Sequence, residues 1–383
     1  MNRFKNGICA CVALLTLASG LMAQHCQEDR YSEIPVFGTD EIVVQTGVEY
    51  ANVQHYFTGQ PVTLKMDVYY PNPAIDPQNV RPFVLLVHGG SWFNGNKSAL
   101  ANRCTELARR GYVAATIDYR LGWNCDLNNF FAVCGCNAGN LRKALYMAVQ
   151  DTRAALRYVQ QHAADWQVDA EWMFAGGDSA GSFNAMLAAT WSQLEADAWL
   201  PGFSAEVGGL DDSGNEAPPG FAIKALINNC GAVVNPDHLD DNTALPMLHF
   251  HDSNDCVVPY NSGPVIGCLC SSFMWVYGSN TIHAARLAAG ECSELHTIPG
   301  SLNHCSFPES NWVPLTACFL KRNLCGVCVS FSNTDIWTGT ACAALSTAGN
   351  SGSDCPTDLN GDGMTNVADL LIFIAQFGLS CTP

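Results

Sequence analysis

The stretch Gly177-Asp178-Ser179-Ala180-Gly181 decides how the chain is read. It follows a short apolar run, Trp172 to Ala175, and leads into an Ala- and Leu-rich segment from Ala180 to Leu194 with helical spacing. That pattern is a strand, a sharp turn and a helix, with a serine at the apex. The glycines two residues to either side have a steric reason, because such a turn crowds those positions and a residue without Cβ fits. Ser179 is therefore a candidate nucleophile. A G-x-S-x-G pentapeptide also occurs as an ordinary loop in Gly-rich chains, so a catalytic role requires a base, an orienting acid and an oxyanion hole elsewhere, in a workable order.

Working outward, Pro82 to Val87 is a continuous apolar run, as expected of a strand buried on both faces of a parallel sheet. It ends at His88-Gly89-Gly90-Ser91-Trp92, where small residues allow backbone N–H groups to approach a substrate oxygen. Donors placed there would hold the oxyanion of an acyl-transfer intermediate, worth about 3 to 4 kcal/mol for one donor. Val62 to Tyr70 alternates in strand fashion, and Tyr112 to Ile117 is a second buried strand. Helical spacing covers Ser98 to Arg110 and Leu141 to His162, and strand-like runs return at Ile223 to Ile227, Pro246 to Phe250 and Leu295 to Ile298. Strands alternating with helices predict an α/β domain with a mostly parallel sheet flanked by helices. Gly122 to Gly139 holds three cysteines and reads as a crosslinked surface loop, and Trp199 to Gly220 as an irregular excursion.

The chain has 383 residues, 48% of them apolar and 10% aromatic, enough for a sizeable core and an appendage. Its formal charge of -17, with no basic cluster to offset it, argues against nucleic acid as a partner. Arg3 and Lys5 precede an apolar run from Ile8 to Ala23, which predicts a signal peptide at 1–23 cleaved after Ala23 and an extracellular location. That run is short for a membrane span, so no transmembrane segment is expected in the mature chain. Nineteen cysteines fit an oxidising compartment. Cys9 and Cys11 leave with the signal, and the odd remainder leaves at least one thiol unpaired within the chain. Cys325 and Cys328 have zinc-like spacing, but no second pair with nearby histidines completes a site, which favours disulfides.

With Ser179 and the His88 to Trp92 segment together, residues 63–324 resemble the α/β-hydrolase superfamily, in particular the carboxylesterases and hormone-sensitive-lipase-like enzymes that pair H-G-G-G with G-D-S-A-G. Ser91 replaces the third glycine of the first motif, and Ser182 the last glycine after the nucleophile; neither change removes a backbone donor. The resemblance implies a serine carboxylic ester hydrolase with an oxyanion hole from the N–H groups of Gly90, Ser91 and Ala180. The family's chain order is nucleophile, acid, histidine. His251-Asp252-Ser253-Asn254-Asp255-Cys256-Val257-Val258-Pro259 looks like its H-G-x-x-D-x-x-V-P segment, which assigns the acid to Asp255, with Asp252 as a rival. His304, in the loop after the last strand, matches the place of the family's general base. His249, His283 and His296 read as ordinary strand or helix residues. Cys256 and Cys305 directly follow the acid and the base, and such adjacency suggests a disulfide between them.

The catalytic domain is expected over 24–326, followed by a Ser-, Thr- and Gly-rich linker over 327–354 and a small unit over 355–383. That unit contains a twelve-residue loop from Asp358 to Asp369 with oxygen side chains at Asp358, Asn360, Asp362, Asn366 and Asp369, glycine at position six, and Met364 offering its carbonyl. Calcium takes six to eight oxygens and needs that glycine for the turn. Asp at position twelve departs from EF-hands and resembles one repeat of a dockerin. Dockerins carry two repeats, so binding to a cohesin by the duplicated surface is not expected; a protein or cell-surface attachment partner is. No cofactor is expected for catalysis, and calcium is expected to be structural. The activities that fit are hydrolysis of small esters, a lipase or polyester hydrolase, or an acetyl or feruloyl esterase acting on polysaccharide. An adhesion protein on the same fold is the non-catalytic alternative.

Overall fold

The computed structural model describes residues 25–26, 29–125, 133–239, 244–270 and 273–334. The chain divides into two units, 1–339 and 340–383, and the described residues all belong to the first. The expected signal peptide, most of the expected linker, and the 355–383 repeat with its calcium ligands Asp358, Asn360, Asp362, Met364, Asn366 and Asp369 lie outside the described residues.

An antiparallel hairpin, β1 (Ile42–Gln54) and β2 (Pro61–Pro71), forms one edge of the main sheet. β3 (Arg81–Val87), β4 (Val113–Ile117), β5 (Val168–Asp178) and β6 (Ile223–Asn229) follow in the chain. β7 (Ala232–Val233) leaves for a second sheet, β8 (Met247–Asp252) returns, and β9 (Ser262–Pro264) and β10 (Trp275–Gly278) complete the second sheet with β7. β11 (Ser293–Ile298) and β12 (Phe331–Asn333) close the far edge. The order in the main sheet is β1-β2-β4-β3-β5-β6-β8-β11-β12, parallel everywhere except on the two sides of β2. This is the α/β-hydrolase fold. All seven residues of β3 and all five of β4 are buried, which is why neither shows alternation in sequence.

The helices are α1 (Ala101–Ala108), α2 (Ala138–Gln161), α3 (Ala180–Thr190), α4 (Gln193–Trp199), α5 (Phe203–Val207), α6 (Ser279–Ala288) and α7 (Glu309–Leu324). The Asn137 side chain caps α2 by accepting from the Gly139 and Asn140 amides. α3 is buried from Ala180 to Ala188, so its apolar residues run all round rather than along one face. Among the described helices none is long and apolar enough to cross a membrane. At the end of β4, the buried Arg120 clamps Asp151 of α2 with its backbone N–H at 2.8 Å and its guanidinium at 2.6 Å, joining sheet to helix.

β1 has no strand signature in the sequence. Its pairing with β2 slips between Gln45 and Val48 and again between Glu49 and Ala51, and each irregularity breaks the period of two. Residues 331–333, inside the expected linker, instead add β12 in parallel beside β11. The strands of the second sheet are two to four residues long, too short for a periodic signal.

Six disulfides join described cysteines. Cys125–Cys136 and Cys134–Cys270 crosslink the loop around residues 125–136, and Cys26–Cys325 and Cys292–Cys328 take up the pair with zinc-like spacing. The suggested bond between Cys256 and Cys305 is not formed. Cys256 pairs with Cys268 and Cys305 with Cys230. The reason is local: the chain turns around the Asp255 carboxylate, whose Oδ1 accepts from the amides of Val257 and Val258, and Cys256 is carried toward the loop before β10. Cys104 is a buried free thiol, and burial raises its pKa far above the usual thiol range.

Candidate active site

The parallel strands β3, β5, β6, β8 and β11 end at one edge of the sheet, and the loops leaving them carry the candidate residues. Ser179 stands between β5 and α3 with φ 51° and ψ -120°, a conformation unusual for a residue with a side chain. Its amide donates to the Asn229 carbonyl at the end of β6 at 2.9 Å, and its own carbonyl accepts from Ser182 at 2.9 Å. The turn lies tight against β3: a Cβ on Gly177 would come within 2.3 Å of the Val87 carbonyl oxygen, and one on Gly181 within 1.9 Å. Those contacts are the physical content of the two flanking glycines.

Two supports of this turn were not legible as such in the sequence. Ser182 donates its hydroxyl to the Gly177 carbonyl and accepts from the Asn229 amide at 3.0 Å. Asp178 is held by Arg103 of α1 at 2.5 Å and by the Asn229 side-chain amide at 2.8 Å. The Arg103 guanidinium in turn lies 4.1 Å above the Trp312 ring and bonds Glu309 at 2.7 Å. A sequence can show Asp178 and Arg103 but not that they meet.

His304, after β11, places Nε2 at 2.8 Å from Ser179 Oγ and Nδ1 at 2.6 Å from Asp255 Oδ2. Asp255 is 7% exposed and its Oδ1 accepts from the amides of Val257 and Val258 at 2.7 and 3.1 Å. Burial alone would raise its pKa; the neighbouring His251 and His304 outweigh that and hold it at about 2. The carboxyl is thus ionised wherever the domain is folded near neutral pH. Asp252, the rival acid, accepts instead from the Ser306 amide at 3.0 Å and the Ser306 hydroxyl at 2.5 Å, anchoring the loop that carries His304.

Gly90 has φ 116°, and a Cβ there would lie 2.0 Å from the Asn94 carbonyl oxygen; Ser91 and Trp92 are also left-handed, with φ 53° and 54°. Three successive positive φ values turn the loop sharply after β3 and bring Ser91 beside Ser179 at the wall of one pocket. Ala180 lines the same pocket, and its N–H belongs to the first turn of α3, where a helix has no internal acceptor for it. His88 is turned away: its ring stacks on Tyr119 at 4.4 Å and its Nδ1 lies 2.6 Å from the Gly89 carbonyl. The deeper wall is apolar, from Trp92, Trp123, Phe183, Val257, Val258 and Val265 among others. The pocket is open on one side, and its empty volume, open space included, is about 310 Å³.

His249, His283 and His296 are buried strand or helix residues, and burial lowers the pKa of each, that of His296 to about 4. Among the described residues the one cluster of metal-type ligands is Cys230, His304 and Cys305, and its two sulfurs are bonded to each other.

The BD-FAE family matches residues 66–234, a span that holds Gly90, Ser91, Ser179 and Ala180 and stops short of Asp255 and His304. No match was found among curated proteins. Among solved structures, the chain is similar to Thermogutta terrifontis esterase 2 phosphorylated by paraoxon, at 20% identity over 73% of this chain and 92% of that one, with a TM-score of 0.46. The propionate-bound form of the Thermogutta terrifontis esterase matches at 20% identity over 75% and 92%, with a TM-score of 0.44. Esterase B from Lactobacillus rhamnosis matches at 18% identity over 82% and 93%, with a TM-score of 0.45. The fold and the BD-FAE match define the chain as a carboxylic ester hydrolase.

Proposed function

We propose that the protein is a secreted serine esterase that hydrolyses esters of short acyl groups through an acyl-enzyme on Ser179. The observation that carries this is the continuous chain Ser179 Oγ, His304 Nε2, His304 Nδ1, Asp255 Oδ2, with links of 2.8 and 2.6 Å. A serine hydroxyl is a weak nucleophile until a base accepts its proton, and an imidazole does so when its other nitrogen donates to a fixed carboxylate. His304 takes the proton as Oγ attacks the ester carbonyl, then returns it to the leaving alcohol. Water, activated by the same imidazole, releases the acid. The backbone N–H groups of Gly90, Ser91 and Ala180 are assigned to the oxyanion.

The pocket beside Ser179 argues for a small acyl group. The enclosed part of the pocket is small and apolar, which suits an acetyl methyl, whereas a fatty chain or an aromatic acid would have to lie along its open side. Acetate esters, free or on a polysaccharide, therefore fit better than feruloyl esters, triglycerides or polyesters. Replacing Ser179 by Ala is expected to abolish turnover of nitrophenyl acetate while leaving the fold intact; unchanged turnover would sink the reading of Ser179 as the nucleophile of an esterase.

The 1–23 segment is proposed as a secretion signal and the 355–383 repeat as a calcium-stabilised attachment unit, on the sequence pattern of each. Chelation of calcium should unfold the repeat and spare turnover of the soluble ester, and loss of turnover on chelation would contradict that division.

A further inference from the structure

Asp255 has a second imidazole beside it. His251, at the end of β8 and 1% exposed, places Nε2 at 3.1 Å from the Val258 carbonyl and 3.4 Å from Asp255 Oδ2. Its other nitrogen, Nδ1, lies 2.7 Å from Ser279 Oγ at the start of α6, and Ser279 is fully buried.

The hydrogen positions in this cluster follow from which groups can only donate. The Gly231 amide donates to Asn228 Oδ1 at 2.8 Å, which orients the Asn228 side chain. Asn228 Nδ2 then donates toward Ser279 Oγ at 3.1 Å. The Ser279 hydroxyl has one hydrogen left, and His251 Nδ1 is the acceptor in reach. His251 Nε2 therefore carries the ring hydrogen, and it faces two groups that only accept, the Val258 carbonyl and the Asp255 carboxylate.

We propose that His251 is a positioning residue for the reaction, resting on the triad assigned above: its Nε2–H, fixed by Ser279 and Asn228, holds the Asp255 carboxylate and the turn that carries it in the orientation His304 needs. Val258 is part of the same device, because its amide donates to Asp255 Oδ1 while its carbonyl accepts from His251. The carboxylate thus meets donors at both oxygens, and the His304 bond is the one that faces the substrate side. A chain from Asn228 through Ser279, His251 and Asp255, all buried, to His304 and Ser179 is left, with each member's orientation set by the one before it.

The test compares H251L, H251Q and S279A with the wild type on nitrophenyl acetate, measuring kcat, KM and the pH profile of kcat/KM, with S179A and D255N as references. H251L is expected to lower kcat roughly ten- to a hundredfold, the range for losing an outer hydrogen-bond partner, with KM within about twofold. Its acidic limb is expected to move to higher pH, because a carboxylate without this dipole pulls harder on the positive form of His304. H251Q, whose amide can both accept from Ser279 and donate to Val258, should recover most of kcat. S279A should show a smaller change in the same direction and carries the test if H251L does not fold. An unmoved kcat, a limb displaced to lower pH, or an H251Q as impaired as H251L would each overturn the proposal. Turnover retained in S179A would instead sink the triad, whatever the His251 variants do.

Discussion

Cys230 is bonded to Cys305, so the residue that follows β6 is tied to the residue that follows His304. Asn229, one position earlier, accepts the Ser179 amide at 2.9 Å. The crosslink therefore joins the turn that carries the serine to the loop that carries the histidine, with the sulfurs 3.9 and 3.5 Å from His304 Nε2. A Cys230→Ser, Cys305→Ser double variant is expected to lose roughly ten- to a hundredfold in kcat through misplacement of the imidazole. It should also lose about 2 to 4 kcal/mol of stability. Steady-state kinetics and urea denaturation of the double variant check both, and wild-type kcat would show that the bond only staples the fold.

Asp255 gives a pH dependence of known sign. Its folded pKa of about 2 lies below the ordinary carboxylate value of 3.8, so its contribution to stability is fully present above about pH 4 to 5 and is lost as pH falls through 2. The difference corresponds to about 2 kcal/mol. Urea midpoints measured between pH 6 and 2 should fall more steeply for the wild type than for Asp255→Asn. Parallel curves would mean that the carboxyl gains nothing from its partners on folding.

The narrow pocket sets an expected order of substrates. Nitrophenyl acetate should be turned over faster than the butyrate, and the octanoate hardly at all. Trp123, 2% exposed, forms part of the wall, in a loop stapled at Cys125–Cys136. Trp123→Leu should shift the preference toward longer acyl groups by removing ring volume without adding a polar atom. A chain-length profile unchanged by this substitution would place the acyl group elsewhere.

Arg120 and Asp151 provide a test of the scaffold away from the chemistry. Their side chains are 4% and 0% exposed, so removing one leaves the other buried without its charge partner. Arg120→Ala is expected to cost about 3 to 5 kcal/mol, whereas replacing both members with apolar residues of similar size should cost less than either single change. Denaturant titration of the three variants decides, and a loss under 1 kcal/mol for the single change would contradict the prediction.

Parts of the fold that obey one local rule were readable in advance. β3 and β4 are buried on both faces, so their apolar runs are continuous; α2 and α3 carry helical spacing over several turns. β1 escaped because two irregularities in its pairing disrupt alternation, and β12 because its three residues pair with a strand more than thirty positions earlier. Asp255 and Asp252 were separated in the sequence only by a motif. In space the separation is direct, since one carboxylate meets His304 and the other meets Ser306.

By itself the sequence determined the strand–turn–helix around Ser179 and the small residues after β3, because each is a local pattern in which neighbouring residues constrain one another. Tertiary structure alone decided which cysteines pair, that Ser182 and Asn229 brace the turn, that His251 stands beside Asp255, and which side chains line the pocket. Those depend on residues brought together across tens to more than a hundred positions by the stacking of parallel strands. No local periodicity records where such strands will end relative to one another.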